Sequence, residues 1–103
     1  MKYIVMNLNT LNAIANGVRT SSHLFFVGFD PEQPAMAMWS KDIAEAQAFV
    51  SSVQDVWNFL YYGWGYDFAR ATFAVLSVDD SAIELIDRVN RRAQLSEDFR
   101  VDI

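Results

Sequence analysis

Between residues 49 and 64 the apolar side chains recur at steps of three and four, and no other feature of the chain limits its fold so strongly. Phe49, Val53, Val56, Trp57, Leu60 and Trp64 fall on one stripe of a helix. A stripe of that width has to be covered by a second layer. The flanking segments can supply it. Residues 2–9 and 23–29 are rich in aliphatic and aromatic side chains, residues 35–39 can form a third strand, and residues 72–78 are a β-branched, apolar run of strand length. The expected architecture is a single α+β domain over residues 1–103. It has a four-stranded, mostly antiparallel sheet, the order β-β-β-α-β-α along the chain, and two helices packed on one face.

The local signals refine this outline. Asn16-Gly17 is the strongest short hairpin signal, and a hairpin centred there sets Leu8 opposite Phe25, Met6 opposite Val27 and Ile4 opposite Phe29, with one uniformly apolar face. The alternative is a short helix over residues 11–16, capped by Thr10 and ended by Gly17 in a left-handed conformation, with the same two strands around it. Asp30-Pro31-Glu32-Gln33-Pro34 reads as a turn between strands. Ser40, followed by Lys41-Asp42, reads as a helix N-cap, and Ser52 with Asp55 resembles a capping box that breaks the main helix into two pieces. Gly63 and Gly65 end it. Asp79-Asp80-Ser81 then caps a last helix with Ala82, Leu85, Ile86, Val89 and Ala93 on one face, and Arg88, Arg91 and Arg92 near its end suit the helix dipole. Residues 94–103 read as a partly ordered tail. The expected core is Ile4, Met6, Phe25, Val27, Trp57, Leu60, Val75, Leu85, Ile86 and Val89.

Composition narrows the function. With 52% hydrophobic and 20% charged residues the chain has the balance of a packed globule. The absence of cysteine removes disulfides, thiolate metal sites and a cysteine nucleophile. The short apolar run at the N-terminus, broken by Asn7 and Asn9, resembles neither a signal peptide nor a membrane span, so a cytoplasmic protein with no membrane partner is expected. A net charge of -5 repels phosphate backbones, which argues against nucleic acid as a general partner.

Residues for chemistry are few. His23 is the single histidine, and its neighbour Ser22 would point to the opposite face of a strand. With one histidine and no cysteine a metal site would need carboxylates, and these are scattered apart from Asp79-Asp80 and Glu97-Asp98. Gly63-Trp64-Gly65 lacks the lysine and preceding strand of a phosphate loop. The expectation is no catalytic residue, no cofactor and no metal.

Aromatic density is the positive signal. Eight rings lie between Trp57 and Phe73, more than one side of a short helix can hide. Phe59, Tyr61, Tyr62, Trp64, Tyr66, Asp67 and Arg70 are therefore the candidate partner-binding residues, presented from a loop at the end of the main helix. Tyrosine, tryptophan and arginine dominate protein contacts because they bury large areas at small entropic cost. The expected partner is a host protein or a second copy of the chain. A small self-associating domain that holds a small ligand between helix and sheet is the alternative reading.

The stretch over residues 39–49, from Trp39-Ser40-Lys41-Asp42 to Ala46-Gln47-Ala48-Phe49, with the helix and strand that follow, resembles a pattern common in small phage and prophage proteins. In that pattern a strand ends in Trp, a short helix carries an Ala-x-x-Phe step, and a Ser-led helix and closing strand follow. The resemblance covers about residues 36–78 and carries over no catalytic residue. It implies an accessory factor or an inhibitor of a host defence or nucleic-acid enzyme, in the manner of anti-CRISPR proteins. Replacing His23 by Ala is expected to leave folding and biological activity intact. Total loss of activity in a variant with a wild-type thermal melt would place the histidine at the site.

Overall fold

The computed structural model describes residues 2–18, 23–79, 81, 84–86 and 88. Strand β1 (Lys2–Asn7) is its centre. The Asn7 side chain accepts a hydrogen bond from the Thr10 backbone N–H at 3.1 Å, which caps helix α1 (Leu8–Ala15) and stops the strand. At the other end of α1 the Gly17 and Val18 amides donate to the Ile14 and Ala13 carbonyls, a Schellman closure that requires the positive φ of 74° at Gly17. Asn16-Gly17 therefore ends a helix and is not a hairpin turn. The helical alternative holds in kind, although the helix starts three residues earlier and its cap is Asn7, not Thr10.

The chain returns as β2 (Phe25–Phe29) and turns through residues 30–36 to β3 (Ala37–Ser40). The Asp30 carboxylate accepts from the Glu32 amide, and the Asp30 amide donates to the Met36 carbonyl, so the proline segment is the strand-to-strand turn expected. A 3-10 turn over Ile43–Glu45 follows, capped by Asp42. Ser40 plays a different part from the cap assigned to it. Its hydroxyl accepts the Asp42 amide and donates to the Glu45 carboxylate. Strand β4 (Ala48–Phe49) is next, then α2 (Val53–Trp64), α3 (Tyr66–Thr72) and β5 (Phe73–Val78). Phe49 thus belongs to a strand, not to the helical stripe. The expected break falls at Ser52, whose hydroxyl accepts the Asp55 amide at 3.2 Å as the N-cap of α2.

The sheet is antiparallel throughout. The fold class is α+β, as expected, with five strands where four were anticipated. β5 runs along the whole of β1, from Lys2 opposite Val78 to Asn7 opposite Phe73. The other edge of β1 is shared by β2, with Met6 opposite Phe25, and β4, with Tyr3 opposite Phe49. β3 pairs with β2 and forms the outer strand. The β1–β2 register differs by two residues from the hairpin expectation, because Leu8 has already entered α1. Side chains alternate with period two, so the slip leaves Ile4, Met6 and Phe25 on a common face.

Alternation along β1 feeds two cores. Val5, Phe26 and Phe73 pack with Val56 and Leu60 of α2 and Ala69 of α3, joined by half-buried Tyr3, Trp39, Phe49 and Val75. Ile4, Met6, Leu24, Phe25 and Val78 form the second cluster, joined by Leu11 and Ile14 of α1, Ile43 and Ile86. The element order is accordingly β-α-β-β-β-α-α-β, followed by helical backbone at Ser81, residues 84–86 and Arg88. The expectation of two helices on one face is corrected: α2 and α3 cover one face, while α1 and Ile86 lie against the other. Both faces need covering because Tyr3-Ile4-Val5-Met6 is an uninterrupted apolar run, the pattern of a strand buried on both sides.

Of the expected core, Ile4, Met6, Phe25 and Leu60 are buried, and Val27, Trp57, Val75 and Ile86 are half-buried. Leu85 is exposed, one position off the face that Ile86 occupies. Val89, Ala93, Arg91, Arg92 and the segment 94–103 lie outside the described residues. Leu60→Ala, which empties a fully buried position, is expected to cost ~2–5 kcal/mol in urea denaturation, whereas Trp57→Ala at a half-buried position should cost less. A cost for Trp57→Ala at or above that of Leu60→Ala would show that the Trp57 ring contributes more to the core than its half-buried position suggests.

Candidate functional site

Two short helices meeting at a glycine build the candidate surface. α2 ends at Trp64, where the Gly65 amide donates to the Tyr61 carbonyl at 2.7 Å, and Gly65 at φ 85° then caps the start of α3. A β-carbon at Gly65 would meet no neighbour, so it is the backbone conformation that calls for glycine there. The segment expected to be a loop is thus helical on both sides of one residue. Gly63 sits within α2 against Phe29, and only Gly65 breaks the helix.

At about 100° per residue, α2 distributes its rings around three directions. Val56 and Leu60 point into the sheet. Phe59 leaves on one flank and packs between Phe29 and Phe49, with ring centroids 5.8 and 5.5 Å away. Trp57 and Tyr61 leave on the other flank, one turn apart and stacked at 5.6 Å. Tyr62 points away from the sheet and is 96% exposed.

The candidate residues therefore divide between packing and solvent. Trp64 is structural. Its ring lies flat on Phe29 at 5.2 Å, meets Phe26 edge-on and contacts Phe73, and its indole N–H donates to the Ala35 carbonyl. A tryptophan held by three rings and a backbone acceptor ties the end of α2 to the β2–β3 turn. Tyr61 is half-buried between Trp57 and Tyr66, and its hydroxyl is buried without a hydrogen-bond partner. Tyr66, 62% exposed, and the exposed Asp67 open α3.

Arg70 completes the group. Its guanidinium lies 4.0 Å from the Trp57 ring centroid, and 5.5 and 5.8 Å from those of Tyr61 and Tyr66. A cation–π contact of this kind contributes ~0.5–1 kcal/mol at an exposed site and restrains the charged group over the rings. Neither Arg70 nor Asp67 forms an ion pair among the described residues. Arg70 as a whole is exposed.

Sequence reasoning found this cluster by ring density, but it missed Trp57 and Phe68. Trp57 was assigned wholly to the core, although it supplies the platform under Arg70. Phe68 is 50% exposed and packs on Phe73 at 6.2 Å. The steps from Trp57 to Tyr61 and from Tyr66 to Arg70, each of four residues, were the signal that could have revealed the arrangement.

Elsewhere chemical groups are sparse. His23 is exposed and precedes the buried Leu24, after which β2 begins, and Ser21 and Ser22 lie outside the described residues. Among the described residues no three His, Cys, Asp or Glu side chains come together as metal ligands, and no helix is long and apolar enough to cross a membrane. No protein-family model, curated protein or solved structure matches the chain.

The orphan hydroxyl of Tyr61 and the anchored indole of Trp64 call for opposite responses. Tyr61→Phe removes a buried unpaired group, whose burial costs ~1–3 kcal/mol, and is expected to leave thermal stability unchanged or raised. Trp64→Ala is expected to destabilise the fold by ~3–5 kcal/mol. Thermal melts of the two variants, read together, check both roles. A stable Trp64→Ala protein would return that ring to the contact surface.

Proposed function

We propose that this chain is a non-catalytic protein-binding module that contacts its partner through the outer surface of α2 and α3. The observation that carries the reading is Tyr62. A ring 96% exposed on a helix whose opposite side is fully buried gains nothing for folding. On α3 the exposed Tyr66, Phe68 and Arg70 add residue types of the kind that concentrate binding energy. Tyr61 supports Tyr66 and Arg70 from the flank, whereas Trp64 and Phe59 pack toward the sheet.

The finer reading is a phage-type inhibitor that blocks a host defence or nucleic-acid enzyme by direct contact. It draws on the likeness of residues 39–49 to small phage proteins and on an acidic chain without cysteine. Occlusion by shape suits the surface better than imitation of DNA, since the exposed face offers rings and one guanidinium in place of rows of carboxylates.

Tyr62→Ala and Tyr66→Ala are expected to melt within a degree or two of wild type, as changes at exposed positions do, yet to weaken partner binding by more than ~1–2 kcal/mol each. Native mass spectrometry of the protein purified from its host supplies the binding readout, as the fraction carrying a stoichiometric protein partner. Retention of that partner by both variants, or its replacement by a bound small molecule, would refute the reading.

A further inference from the structure

From the placement of Asp67 and Arg70 we infer that the partner on this surface is a second copy of the chain, docked α3 against α3 about a two-fold axis, with Arg70 of each copy binding Asp67 of the other. The inference rests on the protein-contact reading above and names the occupant of that surface. The helical repeat sets Asp67, Arg70 and Ala71 in one row on the outer side of α3, with Tyr66 on one flank of the row and Phe68 on the other. Buried Ala69 occupies the inner side.

Asp67 and Arg70 are three residues apart, a spacing at which opposite charges on a helix usually meet. They do not meet here. Arg70 instead folds back onto Trp57, Tyr61 and Tyr66, so that an acid and a base stand side by side without partners among the described residues. A surface that carries one unpaired charge of each sign is complementary to its own two-fold image, because each contact from one copy to the other is repeated in reverse. An antiparallel crossing centred between residues 68 and 69 sets Asp67 opposite Arg70 twice. Ala71 keeps the row low enough for the helices to approach, and a guanidinium already restrained over the rings has a fork of donors for the incoming carboxylate.

Area sets the expected strength. Tyr66 and Phe68, on the two flanks of the row, are 62 and 50% exposed; at ~150–250 Å² per ring they offer on the order of 200 Å², about a quarter of the ~800 Å² that each side of a stable complex buries. The dimer is therefore weak and concentration-dependent, and two ion pairs within a ring-lined contact give it its register.

Sedimentation velocity across a concentration series tests this on the intact chain. Wild type is expected to shift from monomer to dimer. R70D and D67R each set like charges opposite one another twice and are expected to weaken dimerisation about tenfold or more, while the double variant D67R/R70D restores opposite signs and recovers a substantial part of the loss. Dilution of wild type is also expected to move the Arg70 Nε–H and Trp57 indole N–H resonances while leaving that of Trp64 in place. A wild type that stays monomeric at every concentration overturns the inference, as does a double variant no better than the two singles. If the monomer still captures a host protein in a Tyr62-dependent manner, the contact surface stands and only its occupant was wrongly assigned. If Tyr62→Ala affects neither dimer nor capture, the surface itself falls.

Discussion

The fold depends on one strand that is buried on both faces and paired on both edges. β1 is only six residues long, yet Val5 and Met6 are inaccessible to solvent, and three other strands hydrogen-bond to it. Each further element answers a demand that β1 creates. β5 satisfies one row of backbone groups along its length, and β2 and β4 divide the other. α2 and α3 cover the Val5 side, while α1 and Ile86 lie against the Ile4 and Met6 side. The helices that cover the two faces have 8, 12 and 7 residues.

Aromatic packing on the α2 side follows from the same constraint. The space above Val5 is filled by Phe26, Trp39, Trp64 and Phe73, mostly edge-on or tilted, with centroids 5.0–6.0 Å apart. Such arrangements set the positive rim of one ring against the negative face of another. Large rings fill volume with few side chains, which is an advantage when α2 and α3 offer so few inward positions. Once those positions are taken, the remaining rings have nowhere to be buried. Tyr62 and Tyr66 are outside because the inner surface is already full, and this is the physical link between the core and the proposed contact.

Arg70 shows how that surplus shapes a surface. On a bare helix a long basic side chain samples many rotamers and pairs with the nearest acid. Here Trp57, Tyr61 and Tyr66 provide an aromatic platform that takes the guanidinium away from Asp67. The result is a held charge and an unpaired acid one turn apart, which gives the surface its polarity as well as its apolar area.

Much of this was legible in the residues. The helical period over Val53–Trp64, the Ser52 cap, the proline turn and the strand identity of residues 2–7, 25–29 and 73–78 all follow from local chemistry, since side-chain spacing and backbone hydrogen bonding act over a few residues. Ring density marked the stretch in which several rings are left exposed. Local chemistry could not decide between a hairpin and a helix at Asn16-Gly17, because a left-handed glycine serves either; Asn7 capping α1 and β2 pairing two residues away settled it. The helical period put Trp64 on the inward stripe and Tyr62 off it, but it could not show what would cover Trp64. Both are large rings near the end of one helix, and only the positions of Phe26, Phe29, Phe73 and the Ala35 carbonyl, brought from distant parts of the sequence, give one of them a place to be buried. Local sequence therefore determined the long periodic helix, its cap and the main strands. Tertiary structure decided β4, α3, the helix at Asn16-Gly17 and which rings were left exposed, because pairing and burial depend on what the rest of the chain places opposite each side chain.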